Sequence, residues 1–314
     1  MAPLNEVLFI LSDTRSGSTL LDQLLGAHPS IVSVGEVIWL RAYVREDRTL
    51  YNPAHPLLCT CGAPVSGCSF WQQVAATLGQ PLDGLKLTTR SAPHRSDARW
   101  HDRLLTVSAR LPLRFLHAFP RSYRYRFVQN VFGGPQLARD SLKLFDAIFA
   151  VSNARFVVDA SKSTTRFRSI YDANPHSARA IVLGRDYRAV VHSKVKRGRS
   201  LEAAAIGWRK RMIQIEHLTA DLPPGRSIRI RYEDLCGEPK VELTRICDFL
   251  GLEYASVMLH RKTLDLHHLG GSPSKFDPSK SAIVLDKKHE TAFTKQELET
   301  MRRLVGRVAE SWGY

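Results

Sequence analysis

Four short apolar runs stand out along the chain: Val7–Leu11, Phe156–Val158 leading into Asp159, Ala180–Leu183 leading into Gly184, and Ile228–Ile230 leading into Arg231 and Tyr232. Each is continuously apolar or nearly so, the pattern of strands covered on both faces in a parallel sheet. After the first run, Ser18 to Ala27 carries Leu20, Leu21, Leu24 and Leu25 at helical spacing, and His28-Pro29 supplies a stop. After the third, Tyr187 to Lys196 also reads as helical. Strands separated by helical patterns predict an α/β fold with a doubly wound parallel sheet and helices on both faces. Ligands of such sheets collect where the carboxyl ends of the strands meet helix N-termini.

Between residues 51 and 150 this alternation breaks down. A Pro/Cys/Gly-rich stretch, Asn52 to Ser69, precedes a segment carrying Arg90, Arg95, Arg99, Arg103, Arg110, Arg114, Arg121, Arg124 and Arg126. Leu104, Leu105, Val107, Leu111 and Leu113 are interleaved with these arginines, which suits basic amphipathic helices. The expectation is an inserted basic helical lobe over 51–150 within a single domain spanning 1–314, and this lobe is the candidate for acceptor binding. A solvated basic surface is the competing reading. No internal repeat is visible.

Composition narrows the partners. The 314 residues are 44% apolar and 24% charged, which excludes a wholly disordered or fibrous chain. Lys and Arg total 45 against 30 Asp and Glu, a net charge of +15 that favours a polyanionic partner. No segment approaches the roughly 20 apolar residues a membrane span requires. The run Val7–Leu11 lacks a basic lead-in and is too short for a signal peptide, so a soluble, cytoplasmic protein is expected. The five cysteines give no complete disulfide framework. His55, Cys59, Cys61 and Cys68 form a cluster of four possible ligands, but one residue separates Cys59 from Cys61, unlike common zinc patterns. Metal, disulfide and packing all stay open there, and no metal ligand is assigned.

The sharpest feature is Ser12-Asp13-Thr14-Arg15-Ser16-Gly17-Ser18-Thr19, between the first strand and its helix. Small residues at 16 to 19 let backbone approach a ligand, and the first N–H groups of a helix have no internal partner, so the turn can hold an anion. An ordinary helix N-cap by Ser16 or Ser18 would also suit these residues. The turn is P-loop-like but departs from the nucleoside-triphosphate pattern, because Ser18 stands where the phosphate-binding lysine belongs.

Arg15 to Leu21, with Ala27-His28-Pro29 and Gly35-Glu36, resembles the 5′-phosphosulfate motif of sulfotransferases, enzymes that use 3′-phosphoadenosine 5′-phosphosulfate (PAPS). The likeness is to the tyrosylprotein, carbohydrate and bacterial branch. Ile181 to Ser193 resembles the family's 3′-phosphate motif, and Arg229 to Leu235, continuing to Leu252, resembles the segment that follows it. The three motifs occur in the family's order.

That resemblance implies sulfuryl transfer from PAPS to a hydroxyl or amine, with no metal required. It assigns Arg15 to the charge on the transferred group, and Ser16, Gly17, Ser18 and Thr19 to the 5′-phosphate. Arg185 and Ser193 take the 3′-phosphate, Tyr232 neighbours the adenine, and Lys275 lies in a Gly-rich loop over the donor. Glu36 is the candidate general base, with His28 and His192 as rivals, and Lys162 the candidate cation at the sulfonate. The implied acceptor is a small molecule or glycan, mildly favoured to be anionic by the basic lobe; nucleic acid is not expected. Phe156 to Asp159 also imitates a Walker B strand, in which Asp159 would bind Mg²⁺, so a P-loop kinase or NTPase is the alternative.

Overall fold

A computed structural model of the protein describes residues 5–51, 56–88, 134–260, 266–276 and 282–314. Five parallel strands form one sheet in the order β2-β3-β1-β4-β5. They are β1 (Glu6–Ser12), β2 (Ile31–Ser33), β3 (Phe156–Asp159), β4 (Ala178–Gly184) and β5 (Ser227–Arg231). The four strands expected from the apolar runs are present. β2 is additional, and its three residues are too few to establish a period.

The central strand explains the continuous apolar pattern. β1 lies between β3 and β4, with Leu8 opposite Val158 on one side and Ile10 opposite Ile181 on the other. Its alternate side chains enter two different cores: Val7, Phe9 and Leu11 one, Leu8 and Ile10 the other. Val7 to Leu11 are therefore all apolar, because neither face meets water there.

Helices supply the covering layers. The second core is closed by α1 (Ser18–Gly26) and by Leu235 and Leu243 from the segment following β5. The first is closed by α2 (Ser69–Leu78), α3 (Gly134–Ser152), α4 (Thr164–Ala173), α5 (Tyr187–Val195) and α6 (Leu201–Thr219). Within this layer α2 packs on α3, α3 on α4 and α5 on α6.

Trp71 and Val74 of α2, with Leu144, Phe145 and Ile148 of α3, join the same core as Phe9. The described flanks of the 51–150 segment thus share the sheet's own interior. The arginine run from Arg90 to Arg126 lies outside the described residues. No described helix is long and apolar enough to cross a membrane.

Candidate functional site

The carboxyl ends of the strands gather at one edge of the sheet: Ser12 of β1, Asp159 of β3, Gly184 of β4 and Arg231 of β5. From Ser12 the chain turns sharply into α1. Arg15 and Gly17 both adopt left-handed backbone, with φ of 73° and 85°. Glycine is required at 17 for a second reason, since a Cβ there would stand 2.2 Å from the Tyr232 ring. Gly17 is the N-cap of α1 and no side chain caps the helix, so neither Ser16 nor Ser18 takes that role. The hydroxyls of Ser12 and Ser16 are buried without a hydrogen-bond partner among the described residues. Unpaired buried donors at a helix N-terminus favour an anion.

Three guanidinium groups meet beside this turn. Arg15 Nε donates to Ser193 Oγ at 3.0 Å, and Arg197 Nη1 donates to the same oxygen at 3.0 Å. Arg185 Nη1 donates to the Arg15 carbonyl at 2.9 Å, and its guanidinium lies 4.3 Å from the Tyr232 ring centroid. Burial, then the charges of Arg197 and Arg185, hold Arg15 below the usual guanidinium pKa. The carboxylate facing Arg185 is Asp286, at 3.4 Å. Asp186 is instead committed to Arg188, and Asp234 faces Arg231. Positive charge here exceeds what these carboxylates offset.

A second group of charges lies toward β2. Glu36 Oε1 accepts from Lys162 Nζ at 2.5 Å, and Glu36 Oε2 accepts from Trp39 Nε1 at 3.0 Å. Both partners of the ion pair are mostly buried, each side chain 14% exposed. Lys162 has left-handed backbone, φ 58°, and Arg211 donates to both the Lys162 carbonyl and, at 3.2 Å, the Ser12 carbonyl. Arg211 therefore ties the turn after β3 to the end of β1.

Behind Glu36 stand Asp22, His268 and Lys275, all buried. Burial pushes the Asp22 carboxyl up to about 7, although Ser33 donates to it. Burial also holds His268 well below the usual imidazole range, and its Nδ1 lies 3.3 Å from Asp22 Oδ2. Lys275 is lowered to about 8, again mainly by burial. Its Nζ turns inward to the His268 carbonyl at 3.3 Å, so the amine sits with the carboxylates and not among the arginines. The loop around it does reach the turn between β1 and α1, since Ser272 N donates to Thr19 Oγ1 at 3.1 Å.

Sequence reasoning missed Arg197, Asp22, His268 and Arg211. Arg197 follows Ser193 by four residues, one helical turn, and that spacing was available. Asp22 is an acid within the apolar stripe of α1, which marks a polar group turned inward. His268 and Arg211 reach the site only through the fold. Asp159 is held at 2.8 Å by Arg166 Nε and at 2.8 Å by Ser161 N, with both ion-pair side chains fully buried. The carboxylate that imitates a Walker B acid is thus committed to a structural ion pair.

The comparisons with known proteins agree with one another. Residues 8–256 match the model of the "Sulfotransferase family". A Caenorhabditis briggsae protein named "Putative protein-tyrosine sulfotransferase" is 28% identical over 141 residues, 41% of this chain and 49% of that protein. A Caenorhabditis elegans protein of the same name is 28% identical over 137 residues, 41% of this chain and 52% of that one. The chain spans about half the length of these curated relatives. Among solved structures, the sulfotransferase domain of the curacin biosynthetic pathway superposes with a TM-score of 0.57 at 19% identity, covering 100% of this chain and 99% of that one. The sulfotransferase domain of the Synechococcus PCC 7002 olefin synthase gives 0.52 at 22% identity, covering 100% and 96%. These two establish a shared fold.

Proposed function

The chain belongs to the sulfotransferase family, and we propose that it transfers the sulfuryl group of PAPS to a hydroxyl or amine of a small-molecule or glycan acceptor, releasing 3′-phosphoadenosine 5′-phosphate. The observation that carries this reading is the junction at Ser193. Its hydroxyl accepts from Arg15, which belongs to the 5′ turn, and from Arg197, while Arg185 is bonded to the backbone of that same turn. Residues from the two phosphate motifs, 178 positions apart in the case of Arg15 and Ser193, thus enclose one anion-seeking space. The orphaned Ser12 and Ser16 hydroxyls add donors at its floor.

PAPS supplies the activated sulfonate, and the remaining chemistry is positioning and charge. Arg185, Ser193 and Arg197 bind the 3′-phosphate, the group absent from ordinary adenine nucleotides. Tyr232, packed between Gly17 and Arg185, supports the adenosine. Ser16, Gly17, Ser18 and Thr19 hold the 5′-phosphate at the start of α1. Arg15 neutralises the charge that grows on the leaving oxygen, its planar fork able to contact two oxygens together. Glu36 takes the acceptor proton, within reach of Lys162, whose ammonium balances charge on the sulfonate side.

The test is thermal unfolding of the purified chain with 3′-phosphoadenosine 5′-phosphate and with 5′-AMP. A ligand at 100 times its Kd adds about 2.7 kcal/mol to the folded state, so the doubly phosphorylated nucleotide should raise Tm clearly and 5′-AMP much less. Equal shifts would remove Arg185 and Ser193 from the proposed grip. Labelled PAPS incubated with pooled cell extracts, followed by mass analysis of whatever gains sulfate, identifies the acceptor.

A further inference from the structure

The cysteine cluster has no part in the proposed transfer, and its fourth member is not the one the sequence suggests. His55 lies outside the described residues. The ligand atoms of Cys59, Cys61, Cys68 and His267 instead all fall within 4.8 Å of one another. We propose that these four side chains form a structural zinc site, Cys3His, that clips the segment carrying His267 to the body of the domain.

The distances suit that ion. Zinc in a tetrahedron, with bonds of about 2.3 Å to sulfur and about 2.0–2.1 Å to nitrogen, sets its ligands roughly 3.8 Å apart for two sulfurs and roughly 3.5 Å for sulfur and nitrogen. Cys59 Sγ and Cys68 Sγ are 3.7 Å apart, and His267 Nδ1 is 3.7 Å from the first and 3.3 Å from the second. A disulfide would bring two sulfurs to about 2.05 Å, and all three thiols are free. Three soft thiolates with one imidazole favour zinc over calcium or magnesium, which take oxygen ligands. Four protein ligands fill the tetrahedron, so the ion would have no open position for substrate.

Local backbone explains how a one-residue spacing can work. Gly62 N donates to the Cys59 carbonyl at 2.9 Å and Cys59 N to the Ala63 carbonyl at 2.9 Å, curling the turn with Gly62 at φ 88°. That curl brings Cys59 and Cys61 to one side. Cys68 sits at the N-cap of α2, so the start of that helix fixes its place beside the turn. The His267 ring is stacked on Phe70, centroids 4.6 Å apart and planes within 1° of parallel, and Trp71 Nε1 donates to its carbonyl at 3.2 Å. Such outer contacts set a ligating imidazole's direction before metal arrives.

The clip has a consequence for the cleft. Thr60 donates to the Leu266 carbonyl and accepts from His268 N at 2.9 Å. At the next residue, Leu269 accepts from Glu36 N at 2.6 Å and donates to the Val34 carbonyl at 3.0 Å. Zinc would therefore position Glu36 through the backbone, with no role in the proposed transfer step.

The experiment is metal analysis of the purified, reduced, untagged chain, followed by replacement of zinc with Co²⁺. One zinc per chain, and the visible bands and sulfur-to-metal charge transfer of tetrahedral Co²⁺ with thiolate ligands, are expected. Cys61 is exposed, so Cys61→Ser should fold; its zinc affinity should drop by more than the roughly 10–100-fold cost of losing an outer-shell partner. His267→Asn should change the cobalt spectrum. A chain that neither retains zinc nor gives a cobalt spectrum overturns the assignment, as does a spectrum unaltered in both variants. A Cys59–Cys68 disulfide in non-reducing peptide mass analysis also overturns it. None of these readouts depends on sulfate transfer.

Discussion

At one end of the cleft Arg15, Arg185 and Arg197 converge on a serine hydroxyl and a backbone carbonyl; at the other, Lys162 and Lys275 stand with Glu36 and Asp22. The arginine end leaves much of its charge unneutralised, which costs folding energy unless an anion arrives. The lysine end balances its charges internally and buries them, and that burial raises Asp22 to about 7 and lowers Lys275 to about 8. The first arrangement suits binding a fixed polyanion, and the second suits moving a proton.

The largest way to break this contrast is Arg15→Ala. A guanidinium at a transferring phosphoryl group is worth about 10³–10⁵-fold. Transfer of labelled sulfate should fall by at least the lower figure while Tm changes little; full activity would take Arg15 out of the mechanism. Next, Glu36→Gln keeps the shape and removes the proposed base. General-base catalysis contributes about 10²–10⁴-fold, so kcat should drop by roughly 10²-fold, and a rate near wild type would point to His28, His192 or the acceptor itself.

A smaller effect separates the two ends by pH. The folded-state pKa of Asp22, about 7, lies above its ordinary 3.8, so its protonated form favours folding. That contribution is complete below about pH 4 and is lost as pH rises through 7, by a few kcal/mol at most. Asp22→Asn, which stays neutral, should therefore gain stability relative to wild type as pH is raised from 5 to 8, measured by denaturant unfolding. A constant difference across that range would show that Asp22 does not titrate there.

Much of this was legible before any coordinates. β1 and β4 were visible because both faces of each strand are buried along its centre, so Val7–Leu11 and Ala180–Leu183 are continuously apolar. The turn between β1 and α1 was visible because Arg15, Ser16, Gly17, Ser18 and Thr19 are contiguous and chemically unusual. Lys275 was legible as part of the Gly-rich loop that meets Thr19, but not as an amine turned inward, because side-chain direction there depends on the His268 carbonyl. His267 was out of reach for a related reason: 199 positions separate it from Cys68, and no local pattern encodes that meeting. Contiguous chemistry reads from sequence, whereas chemistry assembled by folding back does not.

Among the described residues, the segment bearing Leu269 pairs with the chain just beyond β2 through an isolated bridge, Gly35 to Leu269. One rung can part without disrupting any strand, so the seat of Glu36 should open locally far more often than the central sheet unfolds. Deuterium uptake at the Glu36 and Leu269 amides should accordingly outpace that at Phe9 and Ile10, and equal protection would mean that the latch and the sheet melt as one body.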